Sequence, residues 1–338
     1  MTIYGWEFKA RYEPFESIGS KTFMLTNCSV NVLMIADPDL SMDVLKRVKD
    51  FERLELGNKV LGVFGSNLLA CDHENWTRQR RVIAPALNER ISDVVFKESC
   101  RQASEMLQYF TSRGGVTDAT LQGLKDIAIH VLAAAGYGLS SPWKEEKRPP
   151  KPGYKLTYIE AVESVIDNIV AAAMLPAWVF LMPFLPSNLR RIGYAKREFP
   201  AHTQETLAEE RLRAATRTET QSNLMSMLVK IADDGKQDPA DKKSRVSKTL
   251  SEEEIMGNLF VFTSAGFDTT ANTMAYAVTM LAAYPQWQDW IVEEIDEVLQ
   301  GKGREVEYTE TYPKLVRCLA LMVSLFACND CHSLNMTS

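Results

Sequence analysis

The chain has 338 residues, of which 46% are hydrophobic and 24% charged, and its formal net charge is −6. This composition is typical of a soluble globular protein with one large domain or two ordinary ones, and the acidic balance argues against a nucleic-acid-binding protein, which needs a basic surface. The six cysteines are mostly scattered and no signal peptide is recognisable, so we expect a reducing, cytosol-facing location.

The beginning of the chain predicts a surface helix, a hairpin and a second helix. Residues 5–18 mix aromatic and charged positions at helical spacing, which indicates an exposed helix in spite of Pro14. Two β-rich runs, 22–26 and 30–35, are separated by Asn-Cys-Ser and predict a hairpin. Asp37 is followed by a proline, a pair typical of a helix start with the aspartate as N-cap.

The next informative stretch is HENWTRQRR, residues 73–81. Asn75 or Asp72 would cap a helix in which Trp76 and Arg80, four residues apart, are neighbours on one face. An indole N–H beside a guanidinium forms a two-pronged donor for a carboxylate or a phosphate. The alternative is an ordinary basic surface, since other arginines lie alongside.

Two more helices are predicted over residues 92–138, with a break at Arg113-Gly-Gly. Farther on, residues 168–189 carry no charge over 22 positions, which is long enough for a membrane span. Three prolines interrupt this stretch, and arginines and lysines follow it. We therefore predict two short apolar helices over 169–185 in contact with a membrane surface. The alternatives are a plain core segment and a true span.

The longest predicted element is a central helix that begins at Ser251 and ends before Pro285. Ser251 is the expected N-cap, and Glu254 three residues later completes a capping box. A helix of about 33 residues would measure roughly 50 Å. From Ile255 to Gln288 the one charged residue is Asp268, and a helix this apolar on every side is normally buried all round.

The middle of this helix reads AGFDTT, residues 265–270, and is poorly suited to helix stability alone. Gly266, Asp268 and the two threonines together cost roughly 2–3 kcal/mol in helix propensity. Glycine permits close approach, threonine hydroxyls can bond back to the preceding turn and open the helix, and a carboxylate can carry protons. A proton-handling site is one interpretation; a transmembrane or core helix with a tolerated polar patch is the other.

Taken together, these residues resemble the cytochrome P450 family of haem-thiolate monooxygenases, in its fungal form. AGFDTT is similar to the family's central-helix motif, the Trp76–Arg80 pair to its WxxxR motif, and the order of elements to that of its fold. The resemblance covers about residues 5–322. It implies a mainly α fold with a small β hairpin or sheet, which we expect to be incomplete at both ends.

The resemblance also implies roles for individual residues. Trp76 and Arg80 would bind a haem propionate. Ala265 and Gly266 would let the helix lie over the haem face, and Phe267 would face the substrate pocket. Thr269 would hydrogen-bond the bound dioxygen, and Asp268 would help to relay protons. The segment 169–185 would cover the substrate entrance and dip into the membrane.

The sequence departs from the family after residue 322. By register with YPKLVRCLALM, the family's ExxR pair would fall near Ser324 and Ala327, where neither residue is found. The family's cysteine iron ligand is also absent, and no metal ligand is predicted in this chain. Val323-Ser324 is what an intron donor read in frame would encode, so we expect one partial domain over 1–322 and a non-homologous tail of translated intron over 323–338.

By family, the expected function is insertion of one atom of O2 into an apolar organic substrate by haem b, with NADPH-derived electrons from a reductase. The intact protein would lie on the cytosolic face of the endoplasmic reticulum, whereas this chain lacks the usual N-terminal anchor and is expected to be inactive as given. One alternative is a membrane-associated helical protein without haem. The other is a c-type haem protein, because Cys328, Cys331 and His332 form a CxxCH motif. The substrate and the oligomeric state are not readable from the sequence.

Overall fold

A computed structural model describes residues 10–26, 31–47, 50–51, 55–71, 73–144, 149–215, 223–237, 249–299 and 306–327. The chain divides into two compact units, residues 1–55 and 56–338, which are described separately. The tail that was predicted to be non-homologous is described only to residue 327, and the CxxCH motif lies outside the described residues.

The smaller unit contains the predicted hairpin. Helix α1 (Glu13–Ile18) has no buried residue and carries its proline in the first turn, where a missing N–H costs nothing. Strands β1 (Thr22–Thr26) and β2 (Asn31–Ile35) pair antiparallel, with Thr22 opposite Ile35. Helix α2 (Pro38–Lys46) follows. Asp37 caps it as predicted, accepting hydrogen bonds of 3.0 Å from the backbone N–H groups of Asp39 and Leu40.

The regular elements described in the larger unit are all helices, so the predicted fold class, mainly α with a small β hairpin, is confirmed. Its helices in chain order are α3 (Glu55–Leu61), α4 (His73–Ile83), α5 (Glu89–Thr111), α6 (Thr120–Tyr137), α7 (Tyr158–Ile166), α8 (Ile169–Met174), α9 (Ala177–Phe180), α10 (Ser187–Ala215), α11 (Leu224–Gln237), α12 (Glu252–Ala283), α13 (Pro285–Leu299), α14 (Tyr308–Thr311) and α15 (Val316–Ala327).

Helix α12 is the predicted central helix, and its ends agree with the prediction. Ser251 accepts a hydrogen bond from the Glu254 N–H at 3.1 Å, and Glu254 accepts one from the Ser251 N–H at 2.9 Å. This capping box satisfies N–H groups that the first helical turn leaves without partners. Pro285 does not extend α12 but begins α13.

The main apolar core forms where α12 packs against α6, α7 and α10. Phe260 and Phe267 of α12 are buried there, and Phe260 lies 5.5 Å from Phe199 of α10 between ring centroids. A second buried cluster surrounds the first turns of α12, with Ile255 and Leu259 packed against residues of α4 and α11. Helix α12 therefore links two parts of the core.

The prediction that α12 is buried all round is wrong for its second half. Ala265, Thr269 and Thr270 are exposed, and the side chain of Tyr276 is 68% exposed. The prediction failed because an uninterrupted apolar run does not show which side of the helix faces the core. Small residues such as alanine and threonine occur on the buried and on the exposed side of a helix.

The uncharged stretch at 168–189 forms α8 and α9, two short helices as predicted. Several of its large apolar side chains are exposed, most of all Trp178 at 64% and Phe184 at 78%. Lys196 of α10 donates a 2.7 Å hydrogen bond to the Leu175 carbonyl at the end of α8 and thereby fixes this segment to α10. Among the described residues, no helix is both long and apolar enough to cross a bilayer.

Candidate functional site

The exposed side of α12 carries the polar residues of the AGFDTT motif. Ala265, Thr269 and Thr273 are spaced by four residues and share one face of the helix. The Thr269 hydroxyl donates a hydrogen bond of 2.5 Å to the Ala265 carbonyl, and the Thr273 hydroxyl donates one of 2.7 Å to the Thr269 carbonyl. The back-bond of Thr269 was predicted and that of Thr273 was not. The predicted opening of the helix is not found, since α12 continues as an α-helix through this region.

Asp268 has a cationic partner on another helix. Its Oδ1 atom is shielded from solvent and lies 3.0 Å from Nζ of Lys125 on α6, while the side chain as a whole is 40% exposed. The hydrogen bond to Asp268 raises the pKa of Lys125, so this lysine stays protonated. Asp268 is thus neither a buried lone acid nor a free surface acid.

Two residues of the motif face away from the exposed side. Phe267 is 2% exposed and belongs to the main core, with the Lys125 ammonium 5.5 Å from its ring centroid. It was predicted to face a substrate pocket. The structure corrects this prediction. Phe267 is two positions from both Ala265 and Thr269, so its side chain is rotated about 200° around the helix axis from theirs and lies on the core side of α12.

Gly266 was predicted to let α12 lie over a haem face, but it serves a helix contact. A Cβ at this position would lie 2.9 Å from Cδ2 of Leu132 on α6. The missing side chain therefore makes room for Leu132. Of the two small residues, it is Ala265 that lies on the exposed side of α12.

Helix α4 brings Trp76 and Arg80 together, as the four-residue spacing predicted. The Arg80 guanidinium lies 5.1 Å from the Trp76 ring centroid, and Arg80 is exposed while Trp76 is half-buried. Asn75 is not the cap of this helix, because α4 already begins at His73, and Asp72 lies outside the described residues.

The opposite side of α4 is fixed to the start of α12. Arg78 forms a bidentate ion pair with Glu254, with a 3.0 Å bond from Nη1 to Oε2, and both side chains are only 13% exposed. Gln79 and Asn258 are fully buried and are joined by a 2.8 Å hydrogen bond. Desolvation acts to raise the pKa of Glu254, but Arg78 and Ser251 together hold it below the ordinary value.

These partners were missed at the level of the sequence. Lys125 and Arg78 lie far along the chain from Asp268 and Glu254. Arg78 was counted among the neighbouring arginines of an ordinary basic surface, and Lys125 was not singled out. One signal could have found Arg78: it is two residues from Trp76 and two from Arg80, so it must lie on a different side of α4 from that pair.

Two acidic side chains, one on α7 and one just after its end, lie close to Lys125 of α6. Glu163 and Asp167 both act electrostatically on this lysine. Burial raises the pKa of Glu163 to about 7, with Asp126 and Asp167 adding to the shift and Arg191 opposing it. Within the described part of the chain, no group of three or more histidine, cysteine or acidic side chains is arranged to hold a metal ion.

Comparison with known proteins identifies the family of the chain. The family model for cytochrome P450 matches residues 8–312. The chain belongs to the cytochrome P450 family. The predicted family is therefore confirmed.

Two similar curated proteins are fungal cytochrome P450 monooxygenases. One, from a phomenoic acid biosynthesis cluster of Leptosphaeria maculans, is 32% identical over 96% of this chain and 58% of its own length. The other, from Arthrobotrys oligospora, is 30% identical over 92% of this chain and 55% of its own length. The chain thus spans a little more than half the length of these cytochrome P450 relatives.

Solved structures show the same fold. A cytochrome P450DA haem domain superposes with a TM-score of 0.69 at 16% identity, covering 94% of this chain and 64% of that one. A zebrafish cytochrome P450 in a structure with progesterone gives the same TM-score at 17% identity, covering 93% of this chain and 69% of that one.

The pKa of Glu163 predicts how stability depends on pH. The folded state holds this proton more tightly than the unfolded chain, in which the carboxyl has a pKa near 4.5. The stabilisation is therefore fully present below that value and is lost as the pH rises through about 7. The loss is about 3 kcal/mol at most. Glu163→Gln should remove it, so that urea unfolding of the variant depends less on pH than that of the wild type.

The matched control is Glu253→Gln, which changes an exposed acid at the start of α12. This variant should keep the pH dependence of the wild type. Parallel loss of stability in the wild type and in Glu163→Gln between about pH 5 and 8 would show that Glu163 titrates normally.

Proposed function

We propose that this chain provides the haem-binding and oxygen-handling side of a cytochrome P450 monooxygenase that oxidises an apolar organic substrate. Haem b is the proposed cofactor, and NADPH-derived electrons from a reductase are the proposed reductant. The observation that carries the proposal is the exposed face of α12 at Ala265 and Thr269. It is a strip of small side chains on a helix whose opposite side, with Phe260, Phe267 and Ala271, is packed in the core.

The described residues fit a haem in two respects. The exposed methyl of Ala265 leaves a flat surface on α12, as a planar cofactor requires. The Trp76–Arg80 pair on α4 presents an indole N–H and a guanidinium, which suit a propionate carboxylate. When bound, the haem supplies the iron at which dioxygen is activated, and in the family that iron is held by a cysteine thiolate.

Thr269 and Asp268 are the proposed proton-handling residues. The Thr269 hydroxyl donates its proton to the Ala265 carbonyl, so its oxygen has lone pairs free to accept a hydrogen bond. To relay a proton, the hydroxyl would turn from that carbonyl towards the exposed face and release its own proton as its oxygen receives another. The Asp268 carboxylate is anchored at Oδ1 by Lys125 and is partly exposed, so it can exchange protons with solvent. Asp268 and Thr269 are consecutive residues of α12, turned about 100° from each other, so a proton would pass between them through solvent at the exposed face.

Haem binding is tested by titrating the 338-residue chain with haemin and following the Soret band. Arg80→Ala should weaken binding roughly tenfold, because it removes one charge-assisted contact to a propionate. Arg81→Ala, an exposed neighbour on α4, is the matched control and should bind as the wild type does.

The same titration separates the alternatives. Equal affinity in both arginine variants would remove Arg80 from the site. A chain that binds no haem would favour the membrane-associated protein without a cofactor. Haem that resists acid-acetone extraction would favour the c-type protein. Sequencing the transcript beyond codon 322 tests the proposed tail, since a continuous family sequence there would identify 323–338 as translated intron.

The role of Thr269 is tested in a form of the protein that carries the family's cysteine-ligand loop. Thr269→Val should lower the share of NADPH electrons recovered in product by roughly tenfold or more, with smaller effects on NADPH consumption. Thr270→Val alters the adjacent exposed threonine and is the control. If both variants couple NADPH to product as the wild type does, Thr269 has no part in proton delivery.

We also propose that the segment 169–185 contacts a membrane, at the cytosolic face of the endoplasmic reticulum in the intact protein. The support is the exposed apolar side chains of this segment, since such a patch on a water-soluble surface marks an interaction site. Trp178→Ser should reduce cosedimentation with phosphatidylcholine vesicles several-fold. Trp287→Ser changes a tryptophan of α13 that is 50% exposed and should not. Equal cosedimentation of both variants would place the contact elsewhere.

A further inference from the structure

The apolar segment 169–185 is followed at once by a local positive region on the first turns of α10. Over residues 168–197 the chain has no acidic side chain and four basic ones, Arg190, Arg191, Lys196 and Arg197. The formal net charge of the whole chain is −6. This positive region is therefore a departure from the acidic balance of the protein, and it lies beside the segment with exposed apolar side chains.

Lys196 is not available to a partner, because its ammonium is used inside the protein. It donates hydrogen bonds to the carbonyls of Ala172 and Leu175 at the end of α8, and burial lowers its pKa. The three arginines stay charged at any physiological pH. Arg191 and Arg197 are exposed, and Arg190 is half-buried.

The position of Gly193 shows which side of α10 borders the apolar segment. A Cβ at Gly193 would lie 2.9 Å from Cδ2 of Leu181, so the end of α9 packs directly on this glycine. Arg190 is three residues before Gly193 and Arg197 is four residues after it. Residues at these spacings are neighbours on a helix surface, so both arginines lie on the side of α10 that borders the segment 169–185.

Tyr194 joins these two arginines into one row. Its hydroxyl accepts a 3.1 Å hydrogen bond from Nη2 of Arg190, and the Arg197 guanidinium lies 5.6 Å from its ring centroid. A tyrosine is a neutral partner, so neither contact cancels positive charge. The Nε atom of Arg190 has no hydrogen-bond partner among the described residues. We call Arg190, Tyr194 and Arg197 the arginine row.

The acidic side chains nearest to the exposed arginines neutralise them only in part. Arg197 lies 3.4 Å from Glu198, a buried carboxylate that also accepts hydrogen bonds from two backbone N–H groups. Arg191 lies 3.5 Å from Glu160, which is engaged in the capping box of α7. In both ion pairs the arginine side chain is about half exposed, 56% and 46%, so solvent screens the attraction.

We infer that the arginine row binds the headgroups of anionic lipids when the segment 169–185 contacts a membrane. The inference rests on the proposed membrane contact and names the kind of lipid surface. Apolar side chains beside fixed guanidinium groups suit such a surface, because the apolar groups enter the headgroup boundary while the guanidinium groups bind phosphate. A membrane is favoured over an acidic protein because the bordering segment has no charge over 22 positions, whereas a protein interface has a polar rim.

Cosedimentation of the 338-residue chain with two kinds of vesicle tests the inference. One kind is pure phosphatidylcholine, and the other is an equal mixture of phosphatidylcholine and phosphatidylserine. The net charge of −6 alone would weaken binding to the anionic vesicles, so tighter binding requires a local positive surface. We expect binding to the anionic vesicles to be tighter by roughly fivefold or more, and the difference to shrink at high salt. Equal or weaker binding to the anionic vesicles overturns the inference and favours an acidic protein as the partner.

A double variant, Arg190→Gln with Arg197→Gln, should abolish the preference for anionic vesicles, because each basic side chain near such a surface contributes roughly fivefold in affinity. The matched control is Arg90→Gln with Arg113→Gln, which removes the same charge from two exposed arginines at the ends of α5. Arg113 also lies over a tyrosine ring, at 4.3 Å. The control should keep the preference. Equal behaviour of the two double variants contradicts a role for the arginine row.

Trp178→Ser separates this inference from the membrane contact on which it rests. The variant should bind both kinds of vesicle more weakly and keep the ratio between them. If the wild type binds neither kind, the membrane contact is wrong and the inference falls with it. If the wild type binds both kinds equally and Trp178→Ser weakens both, the membrane contact stands and the arginine row alone is excluded.

Discussion

The rest of the larger unit depends on the close contact between the first two turns of α12 and the chain around Gly65. A Cβ at Gly257 would lie 2.7 Å from the Gly65 carbonyl oxygen, and one at Gly65 would lie 2.6 Å from the Glu253 carbonyl oxygen. Both obstacles are backbone atoms, which cannot move aside as a flexible side chain does, and Gly65 adopts a φ of +131° that other residues avoid. At the same level, the Arg78–Glu254 ion pair and the Gln79–Asn258 hydrogen bond fix α4. These contacts at the start of α12 therefore determine where the Trp76–Arg80 pair on α4 lies relative to Thr269 in the middle of α12.

The two sides of helix α12 have different roles, because the helical repeat places core residues on one side and exposed residues on the other. Phe260, Phe267 and Ala271 point into the core, whereas Ala265 and Thr269 are exposed. Asp268 lies between the two sides, where its carboxylate reaches Lys125 and is also partly open to solvent. One short motif can thus serve packing and chemistry because neighbouring residues are turned about 100° from each other.

Much of this fold could be predicted from local signals in the sequence. The hairpin, the Asp37 cap and the Ser251–Glu254 capping box depend on residues within a few positions of each other, and the structure has all three. The Trp76–Arg80 pair was predicted for the same reason. What could not be predicted depends on long-range pairing: Lys125 with Asp268, Arg78 with Glu254, and Leu132 against Gly266. A single sequence does not show which distant residues come into contact. Gly266 and Phe267 were therefore predicted to lie against the haem and the substrate, whereas in the structure Gly266 lies against Leu132 and Phe267 lies in the core.

The polar middle of α12 illustrates how such pairings change an energetic argument. Its composition costs roughly 2–3 kcal/mol in helix propensity, which suggests a functional reason for every residue. The structure offers compensation for two of them. Gly266 permits the approach of α6, and Asp268 gains an ion pair that contributes about 1 kcal/mol at this exposure. Thr269 and Thr270 are different, because both side chains are exposed and neither belongs to the core. Of the two, Thr269 shares a face with Ala265. By this reasoning Thr269, rather than the charged residue beside it, is the position in α12 that most needs a functional explanation.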